Sequence, residues 1–187
     1  MKRITLLFIV FLMSALLDRS TVSFGQGNDS TARRIEKEVR RELINLPFYS
    51  LFDHFSFRVD GSTVTLMGKV TRPTLKSDAG NVVKMIEGVE KVENQIEVLP
   101  LSPNDDRLRT KLYRSIFGHP SLQIYSMRAL PPIHILVENG NVTLEGVVAD
   151  DLQRNVAGMR ARTVSGVFSV VNNLKTDKEM ETGKPAK

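Results

Sequence analysis

Residues 64–96 read VTLMGKVTRPTLKSDAGNVVKMIEGVEKVENQI, and residues 142–174 read VTLEGVVADDLQRNVAGMRARTVSGVFSVVNNL. The two stretches align without a gap. They share mostly glycines and core-type aliphatic residues, while their charged residues differ. This pattern indicates a duplicated scaffold rather than a duplicated active site. We therefore look for function on surfaces where the copies diverge. The identical pairs are Val64/Val142, Thr65/Thr143, Leu66/Leu144, Gly68/Gly146, Val70/Val148, Ala79/Ala157, Gly80/Gly158, Gly88/Gly166, Val89/Val167, Val92/Val170 and Asn94/Asn172.

Periodicity around the repeat predicts the same five elements in each copy. A helical stripe comes first and an alternating hairpin follows, then a second helix, at about residues 74–87 and 151–165, and a last strand. The fold class is therefore α+β: two tandem αββαβ units, each a small three-stranded mixed sheet covered by two helices. Gly68 and Gly146 interrupt a strand, which predicts a bulge or a close helix backbone, with Ala79 and Ala157 as facing residues.

The repeat divides the chain into two small domains, residues 32–99 and 104–176. The linker between them is short and contains Pro100 and Pro103, so we expect the units to touch. Residues 177–187 have no apolar period and are predicted to form a disordered tail.

The N-terminus predicts an export signal over residues 1–25. Lys2 and Arg3 precede the apolar run Ile4–Leu17, and the small residues Ser23 and Gly25 mark a cleavage site. An uncleaved anchor is the alternative. The chain has no cysteine, so the signal is not that of a lipoprotein. We expect an exported protein in the periplasm.

Composition offers little for catalysis. Without cysteine there is no thiolate nucleophile, and His54, His119 and His134 have no metal-ligand spacing, so we expect them to be exposed or capping. Asp150 and Asp151 are interpreted as the start of a helix. We predict no enzyme activity, cofactor or metal. The net charge of +5, with no block of like charges, predicts no nucleic-acid partner.

Two motifs resemble the BON domain family. They are V-T-L-x-G-x-V at residues 64–70 and 142–148, and G-V-x-x-V-x-N at residues 88–94 and 166–172. The resemblance covers about residues 32–176, with departures at Pro73 and Arg160. It implies a periplasmic α/β module, often paired, without known catalysis and linked to phospholipid binding and envelope integrity under stress.

The second helix of the second copy carries an apolar stripe that the first copy lacks. Leu152, Val156 and Met159 align with the polar residues Thr74, Asp78 and Asn81. Flanking arginines add positive charge, as in a helix that lies on a lipid surface. The predicted lipid- or partner-binding residues are Leu152, Arg154, Val156, Met159, Arg160 and Arg162.

Three occupants of this stripe remain open at the level of sequence. The first is an anionic phospholipid surface, which would make the protein a non-catalytic binding module that supports envelope integrity. The second is another envelope protein. The third is the first unit of the same chain or a second copy, because neighbouring domains bury part of their surfaces.

Overall fold

The computed structural model describes residues 26–182 and confirms two successive αββαβ units. The predicted signal peptide, residues 1–25, lies outside the described residues. The first unit contains α1 (Gln26–Ile44), β1 (His54–Asp60), β2 (Thr63–Val70), α2 (Pro73–Lys84), β3 (Lys91–Asn94) and β4 (Glu97–Val98). The second contains α3 (Pro103–Phe117), α4 (Gln123–Ser126), β5 (Ile133–Glu138), β6 (Asn141–Val148), α5 (Asp151–Arg162), β7 (Ser169–Asn172), β8 (Lys175–Thr176) and α6 (Asp177–Thr182).

Each sheet has a central strand with one antiparallel and one parallel neighbour. In the first unit β2 pairs antiparallel with β1 and parallel with β3. The short β4 also pairs with β2, and it keeps the register of β3: Thr63 faces Lys91 in β3, and Lys69 faces Glu97 in β4 with the same offset along the chain. The last strand is therefore a single strand with an interruption. The same order, β5-β6-β7 with β8 beside β6, repeats in the second unit and confirms the predicted three-stranded mixed sheets.

Two separate hydrophobic cores form, one between the sheet and the two long helices of each unit. Alternation along the strands directs one set of side chains toward the helices, and the helical stripes meet them there. The first core includes Ile35, Val39, Leu66, Leu75 and Ile96. The second core includes Leu112, Ile116, Ile135, Leu144, Val156, Ala157 and Leu174.

The paired strand glycines allow a close approach of the neighbouring backbone. Gly68 and Gly146 have φ angles of +117° and +119°. A Cβ at Gly68 would overlap the carbonyl oxygen of His54, and one at Gly146 would overlap that of Pro132. The atoms nearest to an added side chain therefore belong to the neighbouring strand or its approach. The facing role of Ala79 and Ala157 stays a prediction.

The two units contact each other through the segment that leads into β1. The carbonyl oxygen of Leu51 accepts a hydrogen bond of 2.7 Å from the amide of Ile135 at the edge of β5. Lys69 pairs with Glu138 across the same boundary. The predicted contact between units is confirmed, and we call this region the junction.

Two histidines lie in the junction, which corrects the prediction that they are exposed or capping. His134 is buried and His54 is half-buried, with ring centroids 5.4 Å apart. The sequence did not indicate this, because the contact joins residues of different units. His119 is partly exposed, and its Nδ1 lies 2.9 Å from the hydroxyl of Ser121.

Part of the predicted disordered tail is helical, which is a second correction. Residues 177–182 form α6, and residues 183–187 lie outside the described residues. Thr176 and Glu179 form a reciprocal capping box: the Thr176 amide donates to Oε2 of Glu179 at 2.8 Å, and the Glu179 amide donates to Oγ1 of Thr176 at 3.3 Å. These polar contacts hold a helix that has no apolar stripe.

Candidate functional site

The helix α5 is positioned by a side-chain cap at one end and by small residues in its middle. Asp150 accepts a hydrogen bond of 2.8 Å from the amide of Gln153, which confirms that the paired aspartates mark a helix start. Ala157 and Ala161 are fully buried against the sheet. These small side chains let α5 lie close to the strands, and the opposite side of the helix is exposed to solvent.

Two apolar side chains of the predicted stripe lie on that outer side. Leu152 is 65% exposed and Met159 is 54% exposed. The two residues are seven positions apart, which is close to two helical turns, so both lie on the same side of α5. The counterparts Thr74 and Asn81 on α2 are also exposed, so the same surface is polar in the first unit.

Val156 does not belong to this surface. It is only 8% exposed and packs within the core of the second unit. Helical spacing placed Val156 in the predicted stripe. Its position on α5, however, lies between the exposed side of the helix and the side that faces the core. Its role is therefore structural, whereas its counterpart Asp78 is partly exposed.

Arg154 is held in ion pairs instead of flanking the stripe as a free cation. Its guanidinium contacts Oε1 of Glu179 at 2.8 Å and Oδ1 of Asp151 at 2.5 Å. The hydrogen bond with Glu179, and then the charge of Asp151, raise the pKa of Arg154 above its ordinary value. These ion pairs hold α6 against α5 and stabilise the first turn of α5.

Arg160 and Arg162 differ in their surroundings. The Nε of Arg160 donates to the carbonyl oxygen of Ser115 at 3.0 Å, and the hydroxyl of Ser115 donates to the carbonyl oxygen of Arg160 at 2.9 Å. This reciprocal contact joins α3 to α5. Arg162 is exposed, and within residues 26–182 it makes no recorded hydrogen bond or ion pair. We define the α5 face as Leu152, Met159 and Arg162.

Two further exposed apolar residues, Ile124 and Met127, lie close to the beginning of α5. The hydroxyl of Tyr125 contacts Oε1 of Gln153 at 2.5 Å, and Gln153 donates to the carbonyl oxygen of Ser121 at 3.1 Å. These bonds fix α4 beside the first turn of α5. The sequence missed Ile124 and Met127 because a four-residue helix is too short to show a period.

The first unit does not cover the α5 face. Its contacts with the second unit lie at β5 and the adjoining core, and include those of Tyr49, Leu51, Phe52, His54 and Lys69. Burial of the stripe against the first unit of the same chain, one of the three occupants left open, is therefore contradicted by the exposure of Leu152 and Met159. A lipid surface, another protein or a second copy remain.

The described residues contain no group of three or more histidine, aspartate or glutamate side chains arranged to hold a metal ion. Between residues 26 and 182, every helix is too short or too polar to cross a bilayer.

Comparison with known proteins finds the same duplication. The profile of the BON domain family matches residues 31–100 and residues 104–178, together more than half of the chain. Osmotically-inducible protein Y of Escherichia coli (strain K12) is 29% identical over 165 residues, which is 86% of this chain and 79% of that protein.

Two solved structures are also similar to the chain. Both are of CdsD, a structural protein of the type III secretion system of Chlamydia trachomatis, and one is its C-terminal domain. Each is 14% identical in sequence to this chain, and each match spans 96% of the solved chain. The C-terminal domain covers 75% of this chain with a TM-score of 0.27, and the other structure covers 80% with a TM-score of 0.28.

Proposed function

The chain belongs to the BON domain family, and from this premise we propose that it is a non-catalytic binding module of the bacterial envelope. The proposed ligand is an anionic phospholipid surface, which the protein contacts through the α5 face. The name of the Escherichia coli relative concerns osmotic induction of that protein. By analogy, we propose that this chain supports the envelope under osmotic stress.

The observation that carries the proposal is the exposure of Leu152 and Met159 on α5, a helix that also carries the exposed Arg162. Apolar side chains can enter the boundary between headgroups and acyl chains, and an unpaired guanidinium can contact acidic headgroups. The corresponding surface of α2 carries polar residues, so the first unit lacks this combination.

The expected affinity of the α5 face is low. Partial burial of Leu152 and Met159 contributes ~1 kcal/mol each, and Arg162 near an anionic leaflet contributes ~1 kcal/mol. A gross free energy of ~3 kcal/mol corresponds to dissociation constants in the millimolar range. If Ile124 and Met127 reach the same surface, the sum rises to ~5 kcal/mol and the constant falls to hundreds of micromolar. The contact is therefore reversible.

Flotation with liposomes containing phosphatidylglycerol tests the proposal. The double variant Leu152→Asp/Met159→Asp should lose binding while keeping its circular dichroism spectrum. Met85→Asp is the matched control, because Met85 is also exposed, at 81%, but lies at the end of α2 in the first unit. Binding should fall with added salt, since the cationic contribution is screened. Unchanged flotation of the folded double variant rejects the α5 face as the lipid contact.

A second candidate function is docking of a protein, either an envelope protein or another copy of this chain. The ion pairs of Arg154 within the unit favour it, because the surface is then less cationic than the sequence predicts. Sedimentation of the purified protein over a range of concentrations tests self-association. A dimer that the double variant loses, together with absent flotation, supports this function over lipid binding.

The cellular location is proposed from the predicted signal peptide. N-terminal sequencing of the protein recovered from a cell envelope fraction should begin near Gln26 if the signal is cleaved after Gly25. A protein that begins at its initiator methionine would instead support the retained anchor.

A further inference from the structure

The junction holds two aromatic rings, those of Tyr49 and His54, against the buried His134. The ring of Tyr49 lies 5.8 Å from that of His134, tilted by 28°, and the ring of His54 meets His134 edge to face at 5.4 Å. Beside them, the Leu51–Ile135 hydrogen bond joins the two units. Leu51 and Phe52 also pack against the core of the second unit.

Neither histidine is fully hydrogen-bonded. In the described part of the chain, Nδ1 of His54 and Nδ1 of His134 are buried without a hydrogen-bond partner. An imidazolium needs donors satisfied at both nitrogens, so a second proton on either ring would add a charge and an unmet donor. Tertiary packing thus favours the neutral rings.

The charged groups near the pair are already engaged with other partners. The carboxylate of Asp53, on the loop before β1, accepts hydrogen bonds from Ser50 and Thr71. Glu138, on β5, pairs with Lys69 from β2. On β6, the residue opposite His134 is Glu145, whose carboxylate accepts a hydrogen bond from Asn173.

The pKa shifts of Tyr49, His54 and His134 agree with this geometry. Burial, and next the charge of His54, lower the pKa of His134 from 6.5 to about 4, although Asp53 and the backbone of Ser50 act in the opposite direction. Burial also lowers the pKa of His54. For Tyr49, burial is the main cause that raises the pKa to about 12, so its hydroxyl stays neutral.

We propose that the His54–His134 pair is an acid-sensitive latch between the two units. When the medium acidifies, protonation of these rings disfavours the junction and releases the segment Tyr49–His54 from β5. Each unit keeps its own core, so separation does not require unfolding. The latch is independent of what the α5 face binds.

The direction follows from the difference between the closed and open states. In the closed state the pKa of His134 is about 4, and in the open state it returns to an ordinary value near 6.5. Docking is therefore at full strength above pH 6.5 and weakens as the pH falls toward about 4. Full exposure of His134 alone would shift the equilibrium toward the open state on the order of eighty-fold at about pH 4.5.

Amide hydrogen exchange of the purified protein at about pH 7.5 and about pH 4.5 tests the latch, after correction for the intrinsic pH dependence of exchange. The Ile135 amide reports the junction, because its partner is Leu51 of the other unit. The Asn173 amide is the internal reference, because it bonds to Leu144 within the second unit. We expect acid to lower the protection of Ile135 and to leave that of Asn173 unchanged.

Variants separate titration from general acid effects. His134→Phe keeps an aromatic ring without a titratable group and should keep Ile135 protected in acid; His54→Phe is the second choice if that variant does not fold. His119→Gln lies outside the junction and should behave as the unmodified protein. The latch is rejected if Ile135 protection is independent of pH, if Asn173 loses protection in parallel, or if the phenylalanine variant opens as readily.

Discussion

The side-chain amide of Asn172 donates a hydrogen bond of 2.8 Å to the carbonyl oxygen of Arg154, and so ties the last strand of the second unit to α5. Its Oδ1 accepts from the amide of Leu174, where the strand is interrupted. Gly158 leaves room for this contact, since a Cβ there would lie 2.7 Å from Nδ2 of Asn172. Asn94 makes the same contact in the first unit, to Lys76 at 2.6 Å. A packing requirement therefore explains why this asparagine and this glycine recur together.

Replacing Asn172 by alanine should lower the free energy of unfolding. Two hydrogen bonds are lost, and the carbonyl oxygen of Arg154 is left without this donor, so we expect a cost of ~1–3 kcal/mol. Urea denaturation measures it. Asn173→Ala is the control, because Asn173 is exposed and should change stability by less than ~0.5 kcal/mol. Equal costs for both variants would contradict the structural role of Asn172.

Gly146→Ala should destabilise the second unit strongly. The φ angle of +119° disfavours any side chain, and the new methyl group would overlap the Pro132 carbonyl oxygen. We expect a loss of about 3 kcal/mol or more in thermal or urea unfolding. At Gly61 the φ angle is also positive, but a Cβ there meets nothing within 4 Å. Gly61→Ala should therefore cost only ~1 kcal/mol, which isolates the contribution of the overlap.

Aspartate substitutions on α5 should separate the core from the exposed face. Val156→Asp places a charge in the core of the second unit and should cost at least ~3 kcal/mol of unfolding free energy. Leu152→Asp, on the outer side, should change stability by less than ~1 kcal/mol. The two are compared by chemical denaturation. Similar losses would show that Leu152 also packs in solution.

The attachment of α6 should depend on the ionised form of Glu179. Hydrogen bonding to the Thr176 amide, and next to Arg154, lowers the pKa of this carboxyl below its usual 4.5. The folded pKa is depressed, so this contact is complete above pH 4.5 and is lost as the pH falls below it. Hydrogen exchange of α6 should increase over that range. In Glu179→Gln, exchange should already be fast at neutral pH; Glu181→Gln, an exposed neighbour, should have no effect.

Asp53→Asn should weaken the loop that forms the junction. The Asp53 carboxylate is fully buried and accepts four hydrogen bonds, from the amides and hydroxyls of Ser50 and Thr71. An asparagine NH2 group cannot accept, so two of these donors would lose their partner at a cost of ~2–3 kcal/mol. Asp60→Asn, at the exposed end of β1, is the control for urea denaturation. An unaffected midpoint for Asp53→Asn would show that the donors find other acceptors.

The α5 face illustrates how far the sequence could predict a site. Periodicity placed Leu152 and Met159 correctly on one side of a helix, and the comparison between copies marked that side as unusual. It could not distinguish Val156, whose direction borders the core. Nor could it find the partners of Arg154 and Arg160, because Glu179 and Ser115 lie far from them along the chain.

The sequence by itself determined the duplicated framework, because glycine positions, turn residues and apolar periods act locally and need no knowledge of distant contacts. Only the tertiary structure decided that Arg154 is held in ion pairs, and that the units meet at β5 beside two histidines. Those outcomes depend on side chains that come together after both units fold, where burial and charge at short range set their state.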